Sequence, residues 1–304
     1  MSVHDDIQTI VNDSDIEIGL VATQIETGET IAINGDVPFP MASVFKIPIL
    51  VTAFSQIEQG ISSLDDRITL ENAHKSPGSG ILPFFEMGLT PTWRDLLTLM
   101  IIISDNTATD IIVEQLGGPE VVESYLHQIG LNDIYFKMNC KDLLGTVFPE
   151  EAKNVSSEER EALIIEKGIN HDAVAFSLNS DNNVSTARAM SQLVTMIFKD
   201  EIVSQDSRNT MLDILLQQQF NDRLPRFLPS GIKCAHKTGT IWGIRNDSGI
   251  YYISDDNHVA ITLFTHWDYE AVWLQPEAEL ARIFEIETAM GQIGRLVFDH
   301  FNRV

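Results

Sequence analysis

Hydrophobic positions change period along this chain, and the order of the changes sketches an architecture. Residues 5–13 carry a helical pattern, after which Glu17 to Ala22 and Thr30 to Ile33 read as two strands joined by a turn at Glu26-Thr27-Gly28-Glu29. Gly35, Pro38 and Pro40 end this hairpin, and an apolar helical run then extends to about Gly60 as its C-terminal cap. A turn-rich stretch, Ser76-Pro77-Gly78-Ser79-Gly80, precedes a run from Thr92 to Met100 that is apolar nearly all round, which in a helix means burial. Helical patterns follow to Leu116 and from Glu120 to Gln128. From about Lys137 to Ser180 the chain is polar and weakly periodic, apart from a charged helical piece near Ser157–Lys167. Helical periodicity returns at Thr186–Lys199 and Ser207–Gln219. Ile232–Lys237, Asp247–Ser254 and Val259–His266 then alternate as strands, with a tight turn at Asp255-Asp256-Asn257, and a final amphipathic helix runs from about Pro276 to Phe301.

Strands near both ends and helices between them predict an α/β plus all-α protein of two lobes. The early hairpin would pair with the late strands in one antiparallel sheet flanked by the terminal helices, residues 1–38 and 202–304, with residues 39–201 forming an all-helical lobe. The cleft between the lobes is the expected site.

Composition narrows the function classes. The 304 residues can bury a large core, and 44% hydrophobic with 21% charged residues is the make-up of an ordinary globular protein. Acidic residues outnumber basic ones, 44 to 20, for a formal net charge of −24, which argues against nucleic acid or an anionic membrane surface as partner. Cys140 and Cys234 are too few for a disulfide framework and stand in no metal-ligand spacing; Cys234 reads as a small core residue. The histidines are scattered, and there is neither a P-loop nor a dinucleotide fingerprint, so no metal or cofactor is expected. The acidic start, Met1-Ser2-Val3-His4-Asp5-Asp6, has no secretory pattern and no stretch is apolar enough to span a bilayer, so a cytoplasmic location is expected. Oligomeric state stays open, and the expected partner is a small-molecule substrate.

Candidate chemistry centres on Met41-Ala42-Ser43-Val44-Phe45-Lys46-Ile47-Pro48. Residues three apart on a helix share a face, so the Lys46 amine would lie beside the Ser43 hydroxyl. A serine hydroxyl needs an adjacent base to become a good nucleophile. An amine flanked by Phe45 and Ile47 can be that base if burial and nearby positive charge lower its pKa. N–H groups of the first helical turn would favour negative charge developing at Ser43. Two further motifs follow: Ser104-Asp105-Asn106 at the end of a buried helix, and Lys237-Thr238-Gly239-Thr240 on a strand, where Gly239 would let a ligand approach the backbone closely.

S-x-x-K, S-D-N and K-T-G are each weak alone but specific as an ordered trio on helix, helix end and strand. With Leu96-Leu97-Thr98-Leu99-Met100 ahead of Ser104 and Val184-Ser185-Thr186-Ala187-Arg188-Ala189-Met190 further on, the chain resembles the class A β-lactamase-like serine hydrolases over nearly its whole length. The resemblance implies a two-lobed β-lactamase/transpeptidase-like fold. It implies Ser43 as acylated nucleophile, Lys46 as its base or proton partner, and Ser104 as proton shuttle to the leaving group. Asn106 would hold Lys46 and a substrate amide, and Lys237 would tune Ser104 and attract an anionic group. The N–H groups of Ser43 and Thr240 would form the oxyanion hole. Thr238 and Thr240 hydroxyls would bind a substrate carboxylate; Arg245 suits the same task, and suits as well a structural ion pair with Asp247 or another surface acid.

One departure bears on mechanism. The family's E-x-x-L-N glutamate, which activates the water that frees the acylated serine, has no match ahead of Val184: the Leu-Asn there is Leu178-Asn179, and four positions before Asn179 stands Ala175. Glu166, Asp172 and Asp181 are nearby acids without the spacing, and the interval from Ser104 to Lys237 is longer than the family norm, so this loop is rebuilt. The expectation is therefore a serine hydrolase acting on an amide or ester through acyl-Ser43, as peptidase, esterase or amidase. The alternatives are a true β-lactamase with another deacylating group, and a penicillin-binding or sensor module acylated without turnover.

Overall fold

The computed structural model describes residues 2–153 and 155–303; Met1, Asn154 and Val304, inside the ranges expected above, lie outside the described residues. In chain order the elements are α1 (Val3–Asp13), β1 (Glu17–Gln24), β2 (Thr30–Ile33), β3 (Pro38–Pro40), a 3-10 turn (Ala42–Phe45), α2 (Lys46–Glu58), α3 (Trp93–Ile102), α4 (Asn106–Leu116), α5 (Pro119–Gln128), β4 (Ile134–Tyr135) and α6 (Cys140–Val147). Then come α7 (Ser157–Lys167), β5 (Val184–Thr186), α8 (Ala187–Phe198), α9 (Gln205–Leu215), β6 (Lys233–Ile241), β7 (Ile244–Ser254), β8 (Asn257–His266) and α10 (Pro276–Phe301).

The hairpin and the late strands join in one antiparallel sheet of order β2-β1-β8-β7-β6. Period-two alternation explains how it is covered on both faces. On β1, Ile18, Leu20 and Ala22 face a core shared with Ile7 of α1 and Ile286, Ile293 and Phe298 of α10. Val21, one step out of register, faces the other core with Ala260 and Phe264 of β8. That second core continues into α2, α3, α4 and α8. α8 lies on β1, β7 and β8, so a helix from the middle of the chain covers the sheet, while α9, beyond residue 202, packs on α2, α3 and β6.

A three-stranded sheet of order β3-β5-β4 was not legible in the sequence, because its members are two or three residues long and carry no period. It fixes the approach to α2: Pro38, Phe39 and Pro40 pair with Thr186, Ser185 and Val184. α2 itself is buried from Lys46 through Phe54, which makes it the central helix of the molecule. Among the described residues no helix is long and apolar enough to cross a membrane.

Candidate active site

Ser43 sits in the 3-10 turn ahead of α2, clamped between two sheets. On one side the Met41 N–H donates to Asn183 O at 2.9 Å; on the other, the buried Asn246 Nδ2 on β7 donates to Pro40 O at 2.8 Å and Met41 O at 3.2 Å. β6 is the edge strand of the large sheet and runs alongside this turn. Gly239 makes that possible, since a Cβ there would lie 2.6 Å from Met41 O. The close approach expected of a ligand at Gly239 is thus made by the protein's own backbone. Ala42 is held at φ +44, a left-handed conformation costing on the order of 1–3 kcal/mol in a non-glycine residue. Ser43 is half-buried and lines a cavity of ≈ 450 Å³. Its Oγ has no hydrogen-bond partner among the described residues, whereas Lys46, three residues on, is fully buried.

Lys46 Nζ donates to three acceptors on the loop after α3: Ser104 O at 2.7 Å, Ser104 Oγ at 3.0 Å and Asn106 Oδ1 at 2.8 Å. Burial pulls its pKa below the ordinary 10.5, against the opposing charges of Asp110 and Asp105. Ser104 is the second left-handed residue here, at φ +59, and this turns both its carbonyl and its hydroxyl onto the amine. Asp105 locks the turn: Oδ1 caps α4 at Ala108 N, and Oδ2 accepts from Ile81 N and Leu82 N. Gly80, at φ +121, is required beside it, because a Cβ there would collide with the Asp105 carboxylate.

The third motif borders the cavity from β6. Thr238 and Thr240 line it, but Lys237 lies beneath, its Nζ donating to Thr238 O at 2.8 Å. Burial, then repulsion from Lys46 and Arg223, holds the Lys237 pKa well below 10.5. His236, next to it, is a buried structural group, 2.8 Å from the Asp247 carboxylate. Asp247 is therefore not the partner of Arg245. Arg245 lines the cavity, donates through Nη1 to Ile241 O and Ile244 O, and lies 3.5 Å from Glu287. Burial and the charge of Arg223 hold its pKa down at about 10, so it is still a cation at neutral pH.

Two features were missed by sequence reasoning. Arg223, in a loop between α9 and β6, is 4% exposed and donates to Gly239 O, Asn246 O and Thr240 Oγ1 at 2.6, 2.8 and 2.5 Å. The other is α6. Neither Leu178-Asn179 nor Glu166, Asp172 or Asp181 lines the cavity of Ser43; Cys140, Leu143 and Leu144 do. These three repeat the i, i+3, i+4 spacing of E-x-x-L-N, with a thiol in place of the carboxylate and leucine in place of the asparagine. Burial first, and the Asp110 carboxylate second, push the Cys140 pKa well above 9.0, so the group is a neutral thiol. A larger cavity of ≈ 650 Å³ adjoins at the end of the sheet, sharing Trp242 and Tyr269; His266 and Trp267 line that one, not the cavity of Ser43.

An antiparallel sheet layered with helices, and a buried lysine between an S-x-x-K turn and an S-D-N turn, define a β-lactamase/transpeptidase-like protein. The family model for the beta-lactamase enzyme family matches residues 2–301, and the chain belongs to that family, as a serine hydrolase. The chain is 26% identical over 269 residues to beta-lactamase VEB-1 of Pseudomonas aeruginosa, covering 85% of this chain and 80% of the relative. Among solved structures it is similar to a beta-lactamase from Sphaerobacter thermophilus, with a TM-score of 0.78, 26% identity, and 99% and 97% of the two chains covered. It is equally similar in fold to PBP-A, at a TM-score of 0.78 and 25% identity, covering 99% and 96%.

Proposed function

We propose that this protein forms an acyl-enzyme through Ser43 with an ester or amide of a small substrate and releases the acyl group slowly. The observation that carries the reading is the buried Lys46 amine, held by Ser104 and Asn106 with its pKa lowered. In its neutral form the amine takes the Ser43 proton as Oγ attacks the carbonyl carbon. Ser104, 3.0 Å from Nζ, gives its proton to the leaving group and regains one from Lys46. The carbonyl oxygen, negative in the tetrahedral state, is received by the N–H groups of Ser43 and Thr240. Arg223 donates to Thr240 Oγ1, which leaves that hydroxyl's own proton to bind substrate.

Release needs a water activated near the ester, and the α6 wall of the cavity offers a neutral thiol and two leucines. That supports long-lived adducts with β-lactams and faster turnover of less hindered esters. The relatives named beta-lactamases support the alternative of efficient β-lactam hydrolysis. Intact-mass measurements with benzylpenicillin and with an activated phenyl ester decide between them. A persistent penicilloyl adduct with ester turnover supports the proposal, rapid penicillin turnover supports the β-lactamase, and an adduct that forms equally on Ser43→Ala sinks both.

A further inference from the structure

Glu287, on α10, plays no part in the chemistry above, yet it touches both guanidinium groups of the cavity. Its Oε1 lies 3.7 Å from Arg223 Nη2 and 3.5 Å from Arg245 Nε, and its side chain is largely buried. The remaining donors of the two arginines are unequal. Arg223 Nη1 and Nη2 are engaged with Gly239 O, Asn246 O and Thr240 Oγ1. Arg245 Nη1 is engaged with Ile241 O and Ile244 O, so its Nη2 is left without a protein acceptor among the described residues. The other charged groups at this end are Asp222 and Glu279, both lining the cavity; Tyr269 donates its hydroxyl to Glu279 at 2.7 Å. Two cations therefore face three carboxylates.

We propose that Glu287 sets the charge selectivity of this cavity, standing inside the protein where its charge cancels the attraction a substrate carboxylate would feel, so that acyl donors uncharged at this end are preferred. The inference rests on the reading of this cavity as the acyl-enzyme site and names its substrate class. With Glu287 neutral, the two guanidinium groups face only Asp222 and Glu279, the excess negative charge is gone, and Arg245 Nη2 and the Thr240 hydroxyl are donors that suit a carboxylate. Burial raises the Glu287 pKa above 4.5 and Asp222 adds to the effect, while Arg223 and Arg245 oppose it. As the pH falls, Glu287 is thus neutralised earlier than an ordinary glutamate, and affinity for carboxylates should grow.

Calorimetric titration with N-phenylacetylglycine and with its primary amide tests this without any turnover. At about pH 7.5, the wild type should bind the amide at least as tightly as the carboxylate. Glu287→Gln should bind the carboxylate about tenfold more tightly, a change of about 1.4 kcal/mol, with the amide within about twofold. Lowering the pH to about 5.5 should move the wild type in the same direction, and Glu287→Gln much less. If Glu287→Gln does not fold, the pH series on the wild type decides. The proposal is overturned by an unchanged carboxylate-to-amide ratio, by a wild-type preference for the carboxylate at neutral pH, or by binding of neither ligand. Loss of the Ser43 adduct with this selectivity intact would instead sink the acyl-enzyme reading alone.

Discussion

Two walls face Ser43, and they are built on opposite principles. On the wall of Ser104 and Asn106 the polar groups are tied together: Lys46 Nζ has three acceptors, Ser79 Oγ donates to Ser104 O at 2.7 Å, and Asn106 Nδ2 donates to Pro77 O at 2.8 Å. The α6 wall presents Cys140, Leu143 and Leu144, with no ionised group. A saturated polar network rigidifies and orients, whereas an apolar wall excludes water and offers no base. On the proposed function, the first arrangement serves formation of the acyl-enzyme and the second slows its hydrolysis. If that reading holds, attack and release depend on groups carried by different elements.

The comparison breaks most severely if the serine is not the nucleophile. Ser43→Ala should remove the covalent adduct and lower ester turnover by about 10³-fold or more, measured by intact mass and initial rates. Lys46→Arg keeps a cation in the network but replaces a titratable amine by a group that stays protonated. Acylation should fall by roughly 10²–10⁴-fold while the folded content, followed by circular dichroism, is largely retained. If acylation survives, the amine is not the base. The α6 wall is tested by Cys140→Glu combined with Leu144→Asn, which should shorten the life of the penicilloyl adduct about tenfold or more by supplying a carboxylate for water activation. Acylation should not speed up in this variant, because a new carboxylate beside Lys46 raises the amine's pKa.

The smallest effect is a pH profile. Acylation requires neutral Lys46, and since its pKa is lowered, the rate should rise with pH and level off below 10.5. The same shift makes the folded state bind fewer protons than the unfolded one between the lowered value and 10.5, so stability attributable to this group rises with pH across that window. A rate still climbing beyond pH 10.5 would show that burial does not depress this amine.

What the sequence determined by itself is what short-range periodicity can carry. Alternation in the tail and the early hairpin specified the sheet, and α10 was legible from about Pro276 to Phe301 because a long amphipathic helix repeats its pattern over many turns. The S-x-x-K spacing was legible for a similar reason, since one helical turn fixes it. The meeting of Lys46 with Ser104 and Asn106 spans separations of 58 and 60 residues, and motif order only hinted at it. Tertiary structure alone decided that α6, and not the run ending at Leu178-Asn179, faces Ser43. A search for a carboxylate passes over Cys140, Leu143 and Leu144, whose residue types carry no chemical signal until they stand opposite the serine. Arg223 and Glu287 were silent for the same reason: a charged residue in a loop or on an amphipathic helix reads as solvated surface, and only packing takes it out of water and gives its charge work to do.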